Sequence, residues 1–249
     1  MKHLLSHDSL SIVTLLAAER TLCAFDFDGT LAPIVADPRR AGLRAHTRAL
    51  LRNLAALYPC IVVSGRARKD ALKKLIGVPV LRVIGNHGAD TGDTSTARTS
   101  VEHWKTALEA SLGSVPGLWI ENKGLSLAVH YRQCANRPEV RRRILAEACA
   151  LSFAHVFGGK QVVNVVAESA PNKGDALAKE RDRLGLNWVL YVGDDENDES
   201  AFALEGNVVA VRVGRKLRSH AAYYLRNQFE IDKLLSALIH LRRALSSSK

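Results

Sequence analysis

The sequence predicts an α/β fold: a doubly wound parallel-sheet core into which a smaller α+β cap domain is inserted. Short apolar runs alternate with helical segments near both ends of the chain, as in a parallel sheet covered by helices. The middle of the chain has a hairpin signal flanked by helices, which indicates a separate antiparallel unit. At 249 residues, 47% of them hydrophobic, the chain is long enough for a core domain with one insertion.

The two ends of the chain supply the predicted core, residues 1–88 and 168–249. Before residue 88 we predict a helix at 11–18, strands at 22–26, 60–64 and 80–84, and helices at 43–57 and 67–76. After residue 168 we predict a helix at 173–184, a strand at 188–193, a helix at 197–204 and a strand at 208–213. The fully apolar run at 60–64 is typical of a strand buried on both faces of a sheet.

Residues 89–167 form the predicted α+β cap. Its parts are a polar, Gly- and Thr-rich stretch at 88–97, a helix at 101–112, strands at 118–121 and 125–131, a helix at 138–151, and strands at 153–157 and 161–166. The first two strands are separated by Asn122, Lys123 and Gly124, which is a turn signal. We therefore expect these two strands to pair as a hairpin.

Composition excludes several classes of protein. No apolar run reaches the ~18 residues that a membrane-spanning helix needs, and the N-terminal stretch lacks a secretion signal, so we expect a cytoplasmic protein with no membrane partner. Cys23, Cys60, Cys134 and Cys149 are too scattered for a zinc site or a disulfide framework, and we expect them to be small buried residues. The sequence does not indicate an oligomeric state.

The net charge of +10 is compatible with two kinds of partner, a nucleic acid or an anionic small molecule. Only 6% of the residues are aromatic, and the basic residues are spread along helices. A surface for stacking bases is therefore not evident, which argues against a nucleic-acid partner and favours the small molecule.

Two carboxylates, Asp26 and Asp28, follow the first apolar strand in the segment FDFDGT. Ligands of open α/β sheets bind outside the carboxyl ends of the strands. A carboxylate there can bind Mg²⁺ through oxygen, and one of the pair can attack phosphorus as a nucleophile. Like charges so close need a cation or a proton, which implies a metal ion. The alternative is an ordinary strand-to-turn junction, although a turn needs only one acid and one glycine.

An acidic run, GDDENDE, follows the strand at 188–193 and includes Asp194, Asp195 and Asp198. Its charges would repel one another without a counter-ion, which favours a second part of the cation site. The alternative is a group of acids at the start of a helix, where acids are favoured anyway.

Ser64 and Lys173 are weaker signals. Ser64 ends a strand and can donate a hydrogen bond to a phosphoryl oxygen, and Lys173 opens a helix and can neutralise a phosphate and nearby carboxylates. Taken singly, Ser64 is explained equally well as a cap of the following helix. Lys173 is explained better as a solvated lysine at the start of a helix. Their order and their strand-end positions favour the functional interpretation.

Taken in order, the four segments resemble the motifs of the haloacid dehalogenase superfamily of phosphatases, whose core is Rossmann-like. The resemblance covers nearly the whole chain, and the cap lies between the second and third motifs, as in the subgroup that acts on sugar phosphates. Five blocks resemble the trehalose-phosphatase family more closely: FDFDGTLAPIVADPRRA, IVVSGRARKDALKKL, GNHGAD, ENKGLSLAVHYR and GDDENDESAF.

The resemblance implies a catalytic set. Asp26 would be the nucleophile that forms an aspartyl-phosphate, Asp28 the general acid and base, and Ser64 and Lys173 the residues that hold the transferring phosphoryl group. The implied ligands of Mg²⁺ are Asp26, the backbone carbonyl of Asp28, and Asp194, with Asp198 in the outer shell and Asp195 in a similar supporting place.

The resemblance also implies substrate contacts. The matching cap residues are Glu121, Lys123, Arg132 and Lys160, and the core side of the same cleft would be lined by Arg66, Asn86, His87 and Gly88. Without the resemblance, Glu121 and Lys123 are equally explained as a solvated hairpin turn, and His87 and His130 as interior histidines.

One cap position departs from the family pattern. Where the family commonly has a glutamate in the strand after Gly159 and Lys160, this chain has Asn164. Glu168 lies four residues further on, a displacement of ~13 Å along a strand, which is too far to replace it without a bulge.

The sequence therefore predicts a Mg²⁺-dependent phosphoric monoester hydrolase that removes phosphate from trehalose 6-phosphate in trehalose biosynthesis. One alternative is a phosphatase of the same superfamily for another sugar phosphate, such as sucrose phosphate or a glycosyl-glycerate phosphate, which Asn164 keeps open. The other is a basic nucleic-acid-binding module without enzymatic activity.

Overall fold

The computed structural model describes residues 1–92 and 94–247, which form two β-sheets with helices packed against them. The strands, numbered in chain order, are β1 (Lys2–His3), β2 (Thr21–Phe25), β3 (Cys60–Val63), β4 (Arg82–Ile84), β5 (Trp119–Asn122), β6 (Ser126–His130), β7 (Ala154–Gly159), β8 (Val162–Ala167), β9 (Trp188–Gly193), β10 (Asn207–Val213) and β11 (Tyr223–Leu225). The α-helices are α1 (Leu10–Ala18), α2 (Ala45–Ala55), α3 (Arg68–Lys74), α4 (Thr94–Leu112), α5 (Arg137–Cys149), α6 (Lys173–Arg183), α7 (Glu199–Phe202) and α8 (Glu230–Ser247).

The larger sheet has seven strands in the order β1-β11-β10-β9-β2-β3-β4, and every neighbouring pair is parallel. From β2 the chain winds outward through β3 to β4, and from β9 it winds the other way through β10 to β11. The boundary between β2 and β9 is therefore the switch point at which open α/β sheets bind ligands. This topology confirms the predicted fold class.

Strand β2 lies inside the sheet, next to the central strand β9, and all five of its residues are buried. Side chains alternate along a strand, so β2 contributes to two cores. Cys23 and Phe25 pack in a cluster with residues of α1, α2 and α8, whereas Leu22 and Ala24 pack in a cluster with residues of α6 and α7. Helices thus cover both faces, which explains why the strand is apolar throughout.

The smaller sheet is antiparallel, with the strand order β5-β6-β8-β7. Val129 and Val163 on one face pack with Trp104 of α4 and Ile144 of α5. The alternation of side chains leaves the opposite face to a different set of residues, namely Trp119, Glu121, Ser126, Ala128, His130 and Asn164. The predicted hairpin is confirmed, since β5 pairs with β6 around the turn at Lys123.

The two sheets use separate parts of the chain. The seven-stranded sheet is built from residues before 85 and after 187, and the four-stranded sheet from residues 119–167. The predicted boundaries, 1–88 with 168–249 for the core and 89–167 for the cap, remain a prediction.

Three elements were not predicted: β1, β11 and α8. The two strands have two and three residues, which is too short for a period of two to be recognised. Helix α8 is different, because its eighteen residues carry a helical spacing of buried Leu234, Leu235 and Leu238. Attention to that spacing would have predicted it.

Other differences are local. Helix α4 begins at Thr94, seven residues earlier than its first apolar repeat at Val101, and a 3₁₀ turn at Asn86–Thr91 occupies much of the predicted polar stretch. Asp93 in that stretch and residues 248–249 of the predicted tail lie outside the described residues. Cys149 was predicted to be buried but is exposed, because it ends α5 at the solvent, whereas the other three cysteines are buried. The predicted helix at 197–204 is a 3₁₀ turn followed by the single-turn α7.

None of the helices in the described ranges is both long and apolar enough to cross a membrane.

Helix α8 packs in the main core, and a substitution there should therefore destabilise the protein. Leu235 is fully buried in the same cluster as Cys23 and Phe25, and Leu235→Ala should lower the free energy of unfolding by about 2–5 kcal/mol because the lost methyl groups leave a cavity. Urea unfolding measures this change. Leu245→Ala on the same helix is the control, since Leu245 is exposed and its loss should cost less than about 0.5 kcal/mol. Equal small changes in both variants would contradict the packing of α8.

Candidate active site

The two acidic motifs meet at the switch point of the larger sheet. Asp26 directly follows β2 and Asp194 directly follows β9, and these strands are neighbours. The N–H of Asp26 donates to the carbonyl of Val192 at 2.9 Å, which extends the pairing to the end of both strands. Carboxylate oxygens of Asp26, Asp194 and Asp198 lie within 4.8 Å of one another. The segments FDFDGT and GDDENDE therefore form one site.

Lys173 is a buried counter-ion inside this cluster. Its Nζ donates to Oδ1 of Asp26 and to Oδ1 of Asp198, each at 2.7 Å, and only 1% of the side chain is exposed. Asn172 and Asp175 form a capping box that fixes the start of α6 and so the position of Lys173. Burial lowers the pKa of Lys173, but the two carboxylates raise it by more, so the ammonium stays charged.

Asp198 has both oxygens occupied by hydrogen bonds. Besides Lys173, its Oδ1 accepts from the hydroxyl of Tyr191 at 2.6 Å, and its Oδ2 accepts from the N–H groups of Asp194 and Asp195 at 2.8 and 2.9 Å. Burial would raise the pKa of Asp198, but Lys173 and these donors lower it overall. Asp198 is therefore an ionised anchor that fixes both Lys173 and the acidic loop.

Asp26 and Asp194 fit a divalent cation. Each keeps one oxygen, Oδ2 of Asp26 and Oδ1 of Asp194, that accepts no hydrogen bond from the residues the structure describes. Burial raises the pKa of Asp26 despite Lys173, and burial together with Asp198 raises the pKa of Asp194 to about 6, so the cluster lacks positive charge. Negatively charged oxygen donors are the ligands that Mg²⁺ prefers.

Glycine is required beside this pair of carboxylates. Gly29 has φ of +85°, and a Cβ on it would lie 2.0 Å from Oδ2 of Asp194, so the FDFDGT turn brings its backbone into contact with that carboxylate.

The carboxylates of Asp28 and Asp195 are not members of the cluster. Asp195 instead accepts from the N–H of Glu196 at 2.8 Å and caps the 3₁₀ turn that follows.

Asp28 is held by Arg66 in a bidentate ion pair. Nε and Nη2 of Arg66 donate to the two oxygens of Asp28 at 2.7 and 2.8 Å. Arg66 also donates to Asp70 of α3 at 2.6 Å and to the carbonyl of Pro38 at 2.7 Å, and its guanidinium lies over the ring of Phe27. The guanidinium of Arg66 therefore orients Asp28, while a contact with substrate remains a prediction.

Ser64 directly follows β3 and is fully buried at the same sheet edge. Its N–H donates to the carbonyl of Ile84 at 2.8 Å, and its Oγ accepts from the N–H of Arg66 at 3.2 Å. The turn after β3 therefore fixes both the Ser64 hydroxyl and the arginine that holds Asp28.

Asn86 and Gly88 lie in the 3₁₀ turn after β4. Nδ2 of Asn86 donates to Asp90 at 2.9 Å, and its Oδ1 accepts from Oγ of Ser126 at 2.9 Å, which joins the turn to the smaller sheet. Gly88 has φ of +110°, and a Cβ on it would lie 2.2 Å from the carbonyl oxygen of Asn172. Only glycine allows this turn to approach the start of α6 so closely.

Glu121 and Lys123 bring the β5–β6 hairpin to the core. Nζ of Lys123 donates to the carbonyl of Gly65 at 2.9 Å, and burial lowers the pKa of Lys123. An oxygen of Glu121 lies 2.9 Å from Nε2 of His130. Burial would raise the pKa of Glu121, but His130 and Lys123 lower it overall, so this carboxylate is ionised.

Lys160 and Arg132 lie at the other end of the smaller sheet. Lys160, in the turn between β7 and β8, forms an ion pair with Oδ2 of Asp194. Arg132 is exposed and donates to the carbonyl of Lys160 at 3.3 Å. Besides the bond from Ser126 to Asn86, the smaller sheet thus touches the core through Lys123 on Gly65 and through Lys160 on Asp194.

His87 is buried between the two sheets. It has φ of +60°, is 7% exposed, and makes an edge-on contact with Phe157 at a centroid distance of 4.8 Å. In the part of the chain that the structure describes, its ring nitrogens make no hydrogen bond of ordinary geometry, although the Asn164 amide lies beside the ring. Burial lowers the pKa of His87 well below its usual range, and Lys123 and Lys173 add to this effect. His87 is therefore neutral.

Asn164, the departure from the family pattern, lies beside His87 and is 3% exposed. On β8 it is opposite Ala128 of β6 and Phe157 of β7, so its amide is on the face turned toward the core. The pairing of β8 is regular throughout, and the exposed Glu168 lies beyond its end. Glu168 therefore does not take the place of the missing carboxylate, as expected.

Sequence reasoning missed three residues that support the site. The hydroxyl of Tyr191 donates to Asp198, and Asp70 accepts a hydrogen bond from Arg66. Arg212 donates to the carbonyls of Asp194 and Asp195 at 2.7 and 3.0 Å. An arginine inside the apolar strand β10 is itself a signal, because a buried arginine needs partners. Tyr191 gives no such signal, since aromatic residues are common in strands.

A family model described as trehalose-phosphatase matches residues 24–220, a span that contains every predicted site residue. The chain belongs to the trehalose-phosphatase family. This family member is therefore a phosphatase, a phosphoric monoester hydrolase, as the sequence predicted.

Curated relatives carry the same family name. A rice protein named "Probable trehalose-phosphate phosphatase 4" (Oryza sativa subsp. japonica) is 30% identical over 251 residues, which is 90% of this chain and 67% of that protein. The trehalose-phosphate phosphatase of Mycobacterium avium (strain 104) is 33% identical over 216 residues, 78% of this chain and 54% of that protein. This chain thus spans about half the length of the mycobacterial relative.

Solved structures share the fold. The C-terminal domain of the trehalose-6-phosphate phosphatase of C. albicans superposes with a TM-score of 0.78 at 21% identity, covering 93% of this chain and 96% of that domain. A phosphatase of the HAD superfamily from Bacteroides thetaiotaomicron gives a TM-score of 0.58 at 17% identity, covering 90% and 95%. The predicted superfamily fold is confirmed.

Removal of the Lys173 charge is expected to destabilise the protein strongly. Lys173→Met keeps much of the volume but leaves Asp26 and Asp198 without their ammonium, and should lower the free energy of unfolding by about 3–5 kcal/mol at pH 7. The loss should shrink toward pH 5, because the carboxylates can then take up protons. Urea unfolding in the presence of a chelator measures both effects, with the exposed Lys179→Met on α6 as control. A loss that is the same at both pH values would contradict this account.

His87 is expected to make stability depend on pH. The pKa of a histidine in the unfolded chain is about 6.5, and burial places the folded value lower, so the unfolded state binds more protons as pH falls through this range. Stability should therefore decrease below about pH 6.5. His87→Asn keeps a residue that tolerates positive φ and should flatten the change in Tm between pH 7.5 and 5.5 in calorimetry. An unchanged pH dependence would disprove this assignment; His46→Asn, at an exposed site on α2, is the control.

Proposed function

We propose that this chain hydrolyses trehalose 6-phosphate to trehalose and phosphate, in a Mg²⁺-dependent reaction that passes through an aspartyl-phosphate on Asp26, as a step of trehalose biosynthesis. The observation that carries the proposal is the burial of Lys173 between Asp26 and Asp198 at the switch point, with Asp194 completing the carboxylate cluster. Family membership and the names of the relatives support the choice of substrate.

The first half of the reaction uses Asp26 and Asp28. Asp26 would attack phosphorus with one carboxylate oxygen and hold the cation with the other; Oδ1 accepts a hydrogen bond from Lys173, and Oδ2 accepts none from the described residues. As the bond between phosphorus and the sugar oxygen breaks, Asp28 would give a proton to that oxygen and trehalose would leave. Because both oxygens of Asp28 accept from Arg66 in this structure, Asp28 must first release one of these hydrogen bonds and take up a proton from water. Arg66 positions Asp28 for this step and Asp70 positions Arg66.

The second half returns the enzyme to its starting state. Asp28, now a carboxylate, takes a proton from a water molecule that attacks the phosphorus of the aspartyl-phosphate. The bond between phosphorus and Asp26 breaks, and phosphate leaves with the oxygen of that water. Ser64 and Lys173 would hold the phosphoryl oxygens through both halves, because charge spreads over these oxygens in the transition state.

The metal site would be formed by Asp26, the Asp28 carbonyl and Asp194, supported by Asp198 and, less directly, Asp195. When bound there, Mg²⁺ would supply the positive charge that the buried carboxylates and the phosphate both need. Asp198 supports this arrangement from behind, since its hydrogen bonds to the Asp194 and Asp195 N–H groups fix the acidic loop.

The smaller sheet would bind the sugar. Glu121 is an ionised acceptor for sugar hydroxyls, and Lys123, Arg132 and Lys160 are donors at the rim of the cleft. Contacts between this sheet and the core at Lys123 and Lys160 close the cleft, which would exclude bulk water from the reacting phosphate.

Asn164 supports a second candidate, a phosphatase of the same superfamily for another sugar phosphate. Its buried amide faces the core where the family pattern has a carboxylate, and an amide binds sugar hydroxyls differently, because it donates as well as accepts. Sucrose phosphate and glycosyl-glycerate phosphates are the substrates to compare.

The deciding experiment measures phosphate release from trehalose 6-phosphate, sucrose 6-phosphate and glucose 6-phosphate, with Mg²⁺ and with a chelator. We expect trehalose 6-phosphate to be preferred by about 100-fold in kcat/KM, or about 2.7 kcal/mol of transition-state binding, and we expect the chelator to stop turnover. Robust release without this preference would move the substrate to the second candidate. Retention of nucleic acid without phosphate release would favour the binding module.

Asp26→Asn should abolish turnover while the fold remains, because the amide keeps the shape but is a poor nucleophile. Acid quenching of the wild type during turnover of ³²P-labelled substrate should trap a hydroxylamine-labile phosphoprotein that the variant lacks. Asp182→Asn, at an exposed acid of α6, is the matched control. Wild-type turnover by Asp26→Asn would eliminate the covalent route.

A further inference from the structure

Trp119 is an exposed aromatic residue held in a fixed orientation. It begins β5, the edge strand of the smaller sheet, and 49% of it is exposed. One face of its indole stacks on the ring of His130, with a centroid distance of 4.5 Å and an angle of 16° between the planes. The stack fixes the indole while much of the ring surface stays open to solvent.

Trp119 lies on the side of the sheet that faces the cleft. Ile120 packs into the hydrophobic cluster of the smaller sheet, so its neighbours Trp119 and Glu121 are on the opposite face. His130 joins these two residues, since it stacks on Trp119 and bonds to Glu121 at 2.9 Å. Glu121 in turn lies in the field of Arg66, which holds Asp28.

These contacts form a chain of neighbouring residues that begins at the reacting centre. Asp28 and Arg66 lie at its inner end, Glu121 comes next, and Trp119 follows two residues further along the same strand, at a spacing of ~7 Å. That spacing is comparable to the size of one pyranose ring. A first sugar ring beside Glu121 would therefore place a second ring against the indole of Trp119.

We infer that Trp119 is an aromatic platform for the distal sugar ring of a disaccharide phosphate, and that it determines the preference for disaccharide over monosaccharide phosphates. This inference rests on the proposed function. The C–H face of a pyranose is apolar and packs on an indole, while the hydroxyl groups at the ring edge stay free for polar partners such as Glu121. The His130 stack removes the cost of ordering the indole when the sugar binds.

Kinetics of Trp119→Ala and Trp119→Phe test the platform. We expect Trp119→Ala to lower the ratio of kcat/KM for trehalose 6-phosphate to that for glucose 6-phosphate by about tenfold, mainly through KM for the disaccharide, and Trp119→Phe to restore most of it. Phe153→Ala is the matched control, because Phe153 is an aromatic residue that precedes β7 and is 80% exposed. An unchanged ratio, or the same fall in Phe153→Ala, would overturn the inference.

A binding measurement separates this inference from the proposed function. Trp104 is buried and Trp188 is partly buried, so added trehalose should change the emission of Trp119 above all. We expect saturable quenching with trehalose, none with glucose at the same concentration, and loss of the signal in Trp119→Phe. No change with trehalose would refute the platform even in an active enzyme. Quenching in a protein that releases no phosphate would support the platform and overturn the phosphatase proposal instead.

Discussion

The site depends on one buried ammonium. Lys173 lies between Asp26 and Asp198, and its 1% exposure means that neither water nor salt can replace it. Removing charged groups from water is costly, and this arrangement is tolerated only because every partner is hydrogen-bonded. Asp198 meets that condition with four donors, two of which are backbone N–H groups of the acidic loop. The position of the loop is therefore tied to the same charge that orients Asp26.

The smaller sheet takes part in this charge balance. Lys160 reaches the core from the β7–β8 turn and pairs with Asp194, the carboxylate whose pKa burial raises to about 6. The other contact, from Lys123 to the carbonyl of Gly65, involves no carboxylate. The contact made by Lys160 thus responds to the charge of the carboxylate cluster, while the contact made by Lys123 fixes the hairpin on the turn that carries Ser64 and Arg66. Lys160 is about half exposed, so it can leave Asp194 at little cost.

Much of the fold and the site could be predicted because their signals are local. Asp26, Ser64 and Asp194 each follow an apolar run, which predicts that their side chains meet at one edge of the sheet. Because acidic motifs follow two of these runs, the sequence also predicts the carboxylate cluster. The partner of Asp28 could not be predicted, because nothing in the sequence distinguishes an arginine that binds substrate from one that binds a carboxylate. Tyr191 could not be found either, since its role depends on which face of β9 meets Lys173. Short β11 pairs with the edge of β10, and the two-residue β1 pairs in turn with β11, so neither strand is defined by its own sequence alone.

The order of strands also determines how this chain must assemble. Strand β2 pairs with β3 on one side and β9 on the other, and β9 begins only at residue 188. The whole four-stranded sheet, residues 119–167, leaves the ribosome in between. Its pairings are close in sequence and form quickly, whereas one edge of the apolar β2 has no partner until β9 arrives. The nascent protein can therefore complete its four-stranded sheet while one edge of β2, next to Asp26, still has no partner.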